Sequence, residues 1–208
     1  PLNMGMLVGA GTLRADAAGY QLTTLADGHF DAIHREMERA LAEGALGVSL
    51  GLGYAPECFY STRELIRALE PVRGTDIPVT VHMRQEGSGV VESVEEMNTI
   101  VRESGVRLQI SHHKALGPRN WGKVHQSMES INAMRTQGYD MTLDQYPWTA
   151  ACTGLKVCVP QWAYDGGEQG NDKYRVFSQK LRKFSRLPLC GRRGGSVCSH
   201  TDKSFRLQ

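Results

Sequence analysis

Hydrophobic and polar residues in the middle of the chain follow alternating helical and strand-like patterns. Over residues 29–43, apolar side chains recur every three to four positions with charges between them, which predicts an amphipathic helix. Residues 46–52 then predict a short strand. A second helix is predicted from Ser61 to about Val72, because Ser61 and Glu64 have the spacing of a capping box.

The alternation continues toward the C-terminus. Further strands are predicted at 78–82, 106–111 and 140–146, with helices over about 92–104 and about 121–136. Strands and helices that alternate at this spacing are typical of a parallel sheet covered by helices. We therefore predict an α/β fold, and more specifically a partial (β/α)8 barrel of the TIM type, because a closed barrel usually needs about 250 residues.

The pattern fades after about residue 170. Residues 171–208 carry ten Lys and Arg but two Asp and Glu, and apart from a short helix predicted over 180–184 they show no period. We predict two units, a partial barrel domain over 1–170 and an irregular basic tail over 171–208. The tail could be a solvated arm that contacts acidic partners. The favoured interpretation is a truncated or frame-shifted reading frame.

Composition excludes several function classes. The net charge of +2 gives no overall attraction to nucleic acid, so we expect no nucleic-acid partner. No 18-residue apolar run is present, which predicts no membrane span, and the first residues do not resemble a signal peptide. The five cysteines lack CxxC spacing, which favours reduced thiols in a cytoplasmic protein.

Polar residues follow three of the predicted strands at their carboxyl ends. His82 ends one strand, His112 follows the next, and Asp144 lies in the third. Right-handed crossovers place these ends on one face of the sheet, where barrel enzymes carry their chemistry. A single histidine at such an end is more often a hydrogen-bonded surface residue. Two on successive strands, each beside charged residues, predict a metal site, since neutral imidazole binds zinc and related metals.

Several longer motifs also occur in order, with the gaps of a known family. They are Gly44–Leu52, His82–Gly87, Gln109–Ala115, Asn120–Gly122 and Asp144–Ala150. Over about residues 5–165, the chain resembles the central part of the N-acyl-D-amino-acid deacylases, or D-aminoacylases, of the amidohydrolase superfamily. The resemblance implies about strands four to seven of a TIM-type barrel.

The resemblance also implies roles for individual residues. His82 and His112 match the metal ligands at the ends of barrel strands five and six, with His113 as the less favoured alternative to His112. Lys114 and Tyr146 match the residues that hold the carboxylate and amide region of the substrate. The implied reaction is hydrolysis of an N-acyl-D-amino acid, a small-molecule substrate, to a carboxylate and a D-amino acid. One or two zinc ions would activate water and polarise the acyl carbonyl.

The family pattern is incomplete in this chain. The family's catalytic Asp at the end of the last barrel strand, and the His-x-Asp-type motif of its first strand, have no counterpart here, so no catalytic base is assigned. Cys58 does not occupy the family's cysteine position, and His200-Thr201-Asp202 lies in the basic tail, so neither is assigned a role. Since catalytic zinc sites use three protein ligands, we expect the 208-residue chain to bind zinc weakly and to be nearly inactive.

Three functions remain open at this point. The first is the deacylase reaction, and the second is an inactive remnant that serves at most as a binding or assembly module. The third is hydrolysis of a cyclic amide, as in dihydroorotases. The Ser-His-x-Lys run at 111–114 and the Tyr-Pro-x-Thr-Ala run at 146–150 favour the deacylase. Open edges of a partial barrel also predict self-association.

Overall fold

The computed structural model describes residues 2–21, 24–154 and the strand 196–200. Within these residues, five parallel strands form one sheet in the order of the chain. They are β1 Val8–Gly9, β2 Val48–Gly51, β3 Pro78–His82, β4 Arg107–Ile110 and β5 Met141–Leu143. The predicted α/β class with a parallel sheet is therefore confirmed.

Helices connect successive strands of this sheet. They are α1 Ala10–Ala18, α2 Asp27–Ala42, α3 Thr62–Ala68, α4 Val90–Ser104 and α5 Lys123–Thr136, with short 3-10 helices at Glu57–Phe59, Glu70–Val72 and Pro118–Asn120. The predicted helices over 29–43, 92–104 and 121–136 correspond to α2, α4 and α5. The apolar positions of α4 are buried as the pattern required, with Val94, Met97 and Ile100 all inaccessible to solvent.

The central strands β2, β3 and β4 alternate between two faces of the sheet. Val79 and Val81 of β3 are buried, as are Leu108 and Ile110 of β4, and all four belong to one core cluster with the helices. The intervening residues, Thr80 among them, are partly exposed. Since neighbouring residues of a strand point to opposite sides, the helices cover one face of the sheet. The other face carries the intervening residues.

Helix α3 shows how local sequence sets an element's ends. The Oγ of Ser61 accepts the main-chain N–H of Glu64, and the carboxylate of Glu64 accepts the N–H of Ser61, so the predicted capping box is confirmed. The predicted end near Val72 is wrong, because α3 ends at Ala68 and a 3-10 turn follows. Pro71 explains the difference, since proline lacks the N–H that a helix needs and clashes with the preceding turn.

The first strand and helix were not predicted from the hydrophobic pattern. β1 has two residues, too few to show alternation, and α1 is rich in alanine and lacks a clear apolar stripe.

A charged residue faces the interior from α1. The side chain of Arg14 is fully buried, with its guanidinium 5.6 Å from the ring centre of Phe59 and 5.3 Å from that of Tyr60. These contacts are cation–π interactions.

Two strands lie outside the parallel sheet. β6 Ala150–Gly154 pairs antiparallel with β7 Ser196–His200. The prediction of an irregular tail over 171–208 is therefore wrong for residues 196–200. The rest of that tail, including the helix predicted over 180–184, lies outside the described residues. Nowhere in the described part of the chain is a helix both long and apolar enough to cross a membrane.

Candidate metal centre

Two histidines meet at the carboxyl ends of the central strands. His82 is the last residue of β3, and His112 follows β4 by two positions. The Nδ1 atom of His82 lies 3.0 Å from the Nε2 atom of His112, and the two rings meet edge to face with their centres 4.8 Å apart. Burial lowers the pKa of His82, which favours the neutral imidazole that binds metals. The predicted pair is thus brought together.

The backbone at His112 adopts an unusual conformation. Its φ angle is 44°, in the left-handed region that side chains other than glycine seldom enter. Its main-chain N–H donates to Oδ1 of Asp144 at 2.6 Å, and the side-chain amide of Gln109 donates to the other carboxylate oxygen. Residues held in such conformations cluster at functional sites. The turn directs the imidazole of His112 toward His82.

The neighbouring histidine, His113, lies elsewhere. It is 3% exposed, and its Nε2 atom lies 3.0 Å from Oγ of Ser127 on α5. Its ring is therefore packed toward the helices and away from His82. Because adjacent residues at a strand end face opposite ways, the geometry favours His112 over His113 as a partner of His82.

Lys114 and Tyr146, expected to bind the substrate, also lie at this site. The Nζ of Lys114 is 3.0 Å from Nδ1 of His112 and donates to the main-chain oxygen of the same residue at 3.1 Å. The ring of Tyr146 is centred 5.5 Å from Nζ of Lys114 and 6.4 Å from the ring of His112. Burial raises the pKa of Tyr146, and the negative charge of Glu86 adds to the effect. Its hydroxyl is therefore kept as a neutral donor.

Glu86 is a site residue that was not predicted. Its carboxylate is buried, with Oε1 2.8 Å from Nδ1 of His112 and Oε2 2.6 Å from Nζ of Lys114. Burial alone would raise its pKa, but contacts with these two residues outweigh that effect and lower it. The signal was present in the sequence, since Glu86 belongs to the same polar run as His82. The sequence did not indicate that Glu86 contacts the residues that follow the next strand.

The outer side of His82 is closed by the loop after β2. The ring of Tyr54 is centred 4.9 Å from that of His82, and the hydroxyl of Tyr54 lies 3.3 Å from Oγ1 of Thr153 in β6. A Cβ atom on Gly53 would lie 3.0 Å from Nε2 of His82. A larger residue at position 53 would force the loop or the imidazole to move by a few tenths of an ångström.

A second carboxylate, Glu57, occupies the same edge of the sheet. It packs on Gly51, which pairs in register with His82, and on Gly11. A Cβ atom on Gly51 would lie 3.0 Å from its Oε2, and one on Gly11 only 2.7 Å away. Burial raises the pKa of Glu57 to about 7, partly offset by the main-chain N–H groups of Gly51 and Gly11. No motif or periodicity in the sequence marks Glu57 as a site residue.

Within the described residues, the donor set suits a metal ion. His82, Glu86 and His112 each offer a ligand atom, and these atoms lie within 4.8 Å of one another. Imidazole nitrogen and carboxylate oxygen are common zinc ligands, although the carboxylate of Glu86 is already in contact with His112 and Lys114. Cys58 does not join them. Burial raises its pKa to about 11, which keeps the thiol protonated and unsuited to binding zinc.

Known proteins resemble this region in both sequence and fold. No protein-family model matches the chain. A D-aminoacylase from Alcaligenes xylosoxydans xylosoxydans is 35% identical over 155 residues, which cover 74% of this chain and 32% of the relative. The crystal structure of an N-acyl-D-glutamate deacylase from Bordetella bronchiseptica superposes with a TM-score of 0.71 at 32% identity, covering 78% of this chain and 34% of that one. Over these residues, the chain is similar in sequence and fold to N-acyl-D-amino-acid deacylases.

Two of the similar structures are described with metal centres, and the matched proteins are considerably longer than this chain. The Bordetella deacylase was crystallised with zinc and a phosphonate inhibitor that mimics the tetrahedral intermediate of its reaction. A D-aminoacylase with a binuclear metal centre superposes with a TM-score of 0.70 at 29% identity, covering 86% of this chain and 42% of that one. The present chain spans about a third of the length of the curated deacylases that it matches.

Proposed function

We propose that this chain forms part of a zinc-dependent hydrolase that cleaves the amide bond of N-acyl-D-amino acids. The observation that carries the proposal is the pair of facing histidines, with 3.0 Å between Nδ1 of His82 and Nε2 of His112, beside the cationic side chain of Lys114. Two deacylases are 35% and 32% identical in sequence over 74% and 78% of this chain, which supports this substrate class over cyclic amides.

The described residues suit distinct parts of this chemistry. His82 and His112 would hold zinc, which supplies an activated water and a Lewis acid for the acyl carbonyl. Lys114 offers a point charge for the substrate's carboxylate, and Tyr146 offers a directed O–H for the amide region. Both lie on the same side of His112 and are partly shielded from solvent, so charge–charge attraction there is less screened than in water.

We extend this proposal to the architecture. The sequential order of parallel strands supports a segment of a (β/α)8 barrel, with β3 and β4 as barrel strands five and six. β1 would then be barrel strand three, one strand earlier than the sequence analysis implied. The domain would occupy residues 1–170, and the basic segment 171–208 would join it through the pairing of β7 with β6.

Three further expectations accompany the proposal. A small-molecule N-acyl-D-amino acid is its partner, and the open edges at β1 and β5 favour self-association. Exposed apolar residues beside β1 support this, with Leu2, Met4 and Met6 each more than two thirds exposed. A buried, protonated thiol at Cys58 is compatible with the reducing cytoplasm.

Zinc content and stereochemistry test the proposal. We expect added zinc to bind the full chain weakly but measurably, and His82→Ala to lose this binding. His125→Ala, a matched change at an exposed histidine of α5, should retain it. N-acetyl-D-alanine should bind the zinc-loaded chain in saturation-transfer NMR more tightly than its L enantiomer, and Lys114→Met should abolish this binding.

The alternatives give different results in the same experiments. Turnover of dihydroorotate without binding of N-acetyl-D-alanine would establish the cyclic-amide function instead. Zinc binding with no preference between the enantiomers would leave the inactive remnant as the better description. Equal zinc content in wild type and His82→Ala would place the metal elsewhere.

A further inference from the structure

One carboxylate, that of Glu86, contacts both halves of the site. Its side chain is 8% exposed, and its main-chain oxygen accepts the N–H of Leu116 at 2.6 Å, which ties the loop after β3 to the loop after β4. Oε1 lies 2.8 Å from Nδ1 of His112, and Oε2 lies 2.6 Å from Nζ of Lys114. The same group therefore touches a proposed zinc ligand and the proposed anchor of the substrate's carboxylate.

The two nitrogens of His112 face different partners. Nε2 lies 3.0 Å from Nδ1 of His82, so it is the nitrogen available to a shared metal ion, while Nδ1 faces both Oε1 of Glu86 and Nζ of Lys114. Metal-binding histidines usually donate the N–H of their other ring nitrogen to a carboxylate or carbonyl, which fixes the tautomer and the ring orientation. In this chain the Glu86 carboxylate places a negative charge 2.8 Å from that other nitrogen, beside the ammonium of Lys114.

The other oxygen of Glu86 competes with the substrate. The ion pair with Lys114 is shielded, since the Lys114 side chain is 12% exposed. A substrate carboxylate approaching Lys114 must therefore share its charge with a carboxylate that is already in contact. Charge-assisted hydrogen bonds of this kind are about twice as strong as neutral ones.

We propose that Glu86 is a positioning residue that couples metal binding at His112 to anion binding at Lys114. This inference rests on the proposed function. A zinc ion held by His82 and His112 would add positive charge beside Glu86, so the carboxylate would be held more firmly on the His112 side and less firmly by Lys114. Lys114 then binds the substrate's carboxylate more readily, and the metal-free site rejects it.

Glu86→Gln separates this role from a purely structural one. The variant keeps the shape of the side chain but loses its charge. By isothermal titration calorimetry, we expect its affinity for zinc to fall about 10- to 100-fold. By NMR titration without metal, we expect it to bind N-acetyl-D-alanine about tenfold more tightly than wild type, because Lys114 is released. Glu103→Gln, the same change at an exposed position of α4, should alter neither affinity.

Opposite signs for the two ligands are the decisive feature. If Glu86→Gln loses affinity for both zinc and N-acetyl-D-alanine, its role is structural and the proposal is overturned. An unchanged affinity for zinc also overturns the proposal. If circular dichroism shows that this variant does not fold, Lys114→Met provides the test, since Glu86 is then left to His112 alone. Its affinity for zinc should rise at least about threefold, and an unchanged or lower value contradicts the coupling.

His82→Ala distinguishes failure of this inference from failure of the proposed function. Zinc binding that is lost in His82→Ala but unchanged in Glu86→Gln leaves the histidine pair as the metal site and removes the role of Glu86. Zinc binding that is unchanged in both variants, or absent from wild type, rejects the metal site itself. The coupling then falls with it.

Discussion

The two faces of the parallel sheet differ sharply in what they contain. Toward the helices, Val79, Val81 and Ile110 are fully buried, and their neighbours in register are apolar as well. On the opposite face, residues that are paired across neighbouring strands form a polar row, and each is at least partly exposed. That row consists of Ser49, Thr80, Gln109 and Thr142.

This difference separates stability from chemistry. The helix-facing layer supplies apolar burial, the main favourable term in folding. Beyond the polar row, at the carboxyl edge of the opposite face, lie His82 and the buried carboxylate of Glu57. Substitutions on the first face should therefore alter the free energy of unfolding, while those at the site edge should mainly alter ligand binding.

The largest effect is expected from the helix-facing layer. Ile110→Ala should lower the free energy of unfolding by about 2–5 kcal/mol, because it leaves a cavity in a fully buried position. Thr80→Ala, on the polar row, should lower it by less than about 1 kcal/mol. Urea denaturation followed by circular dichroism measures both. Equal losses would show that the polar face is packed as tightly as the helix-facing one.

The next effect concerns Glu57 and pH. Its pKa is raised from 4.5 to about 7 in the folded chain, so the native state binds a proton more tightly than the unfolded state. This stabilisation is complete below pH 4.5 and is lost as pH rises through 7. Between pH 5 and pH 8 the loss should be about 2–3 kcal/mol.

Glu57→Gln isolates this contribution from other titrating groups. The difference in unfolding free energy between the variant and wild type should grow in favour of the variant as pH rises. Glu103→Gln should leave the pH profile of wild type unchanged. If Glu57→Gln also leaves the dependence of stability on pH unchanged, then Glu57 ionises as freely in the folded chain as in the unfolded one. This edge of the sheet would then be open to water.

The smallest effect on stability is expected at Asp144. Asp144→Ala removes the acceptor that holds the N–H of His112 in its left-handed turn. We expect a loss of about 1 kcal/mol in stability and of about tenfold in zinc affinity. Asp140→Ala removes an exposed ion pair with Arg107 on the adjacent strand and serves as the control. Similar zinc affinities for the two variants would show that His112 does not need this support.

Much of the fold could be predicted from periodicity. α4 and β3 lie where the 3.6- and 2-residue patterns placed them, because each buries one face along its whole length. β1 and α1 were not predicted, since a two-residue strand has no measurable period and α1 buries a charged side chain, Arg14. Periodicity identifies elements only where apolar burial determines their position.

The candidate site likewise contains residues that the sequence predicted and residues that it did not. The motifs around His82, His112, Lys114 and Tyr146 identified four residues that lie together in the structure. Glu86 was not identified, although it belongs to the same run as His82. Its contacts are with residues of the following strand end, and the sequence of one strand carries no information on the distance to the next.

By itself, the sequence determined the α/β class, the central elements and the strand-end histidines, because these depend on local periodicity and on short motifs. Only the tertiary structure decided which nitrogen of His112 faces His82, that Glu86 contacts both His112 and Lys114, and that Glu57 packs against Gly11 and Gly51. Those features depend on the register of neighbouring parallel strands, which joins residues about 30 positions apart.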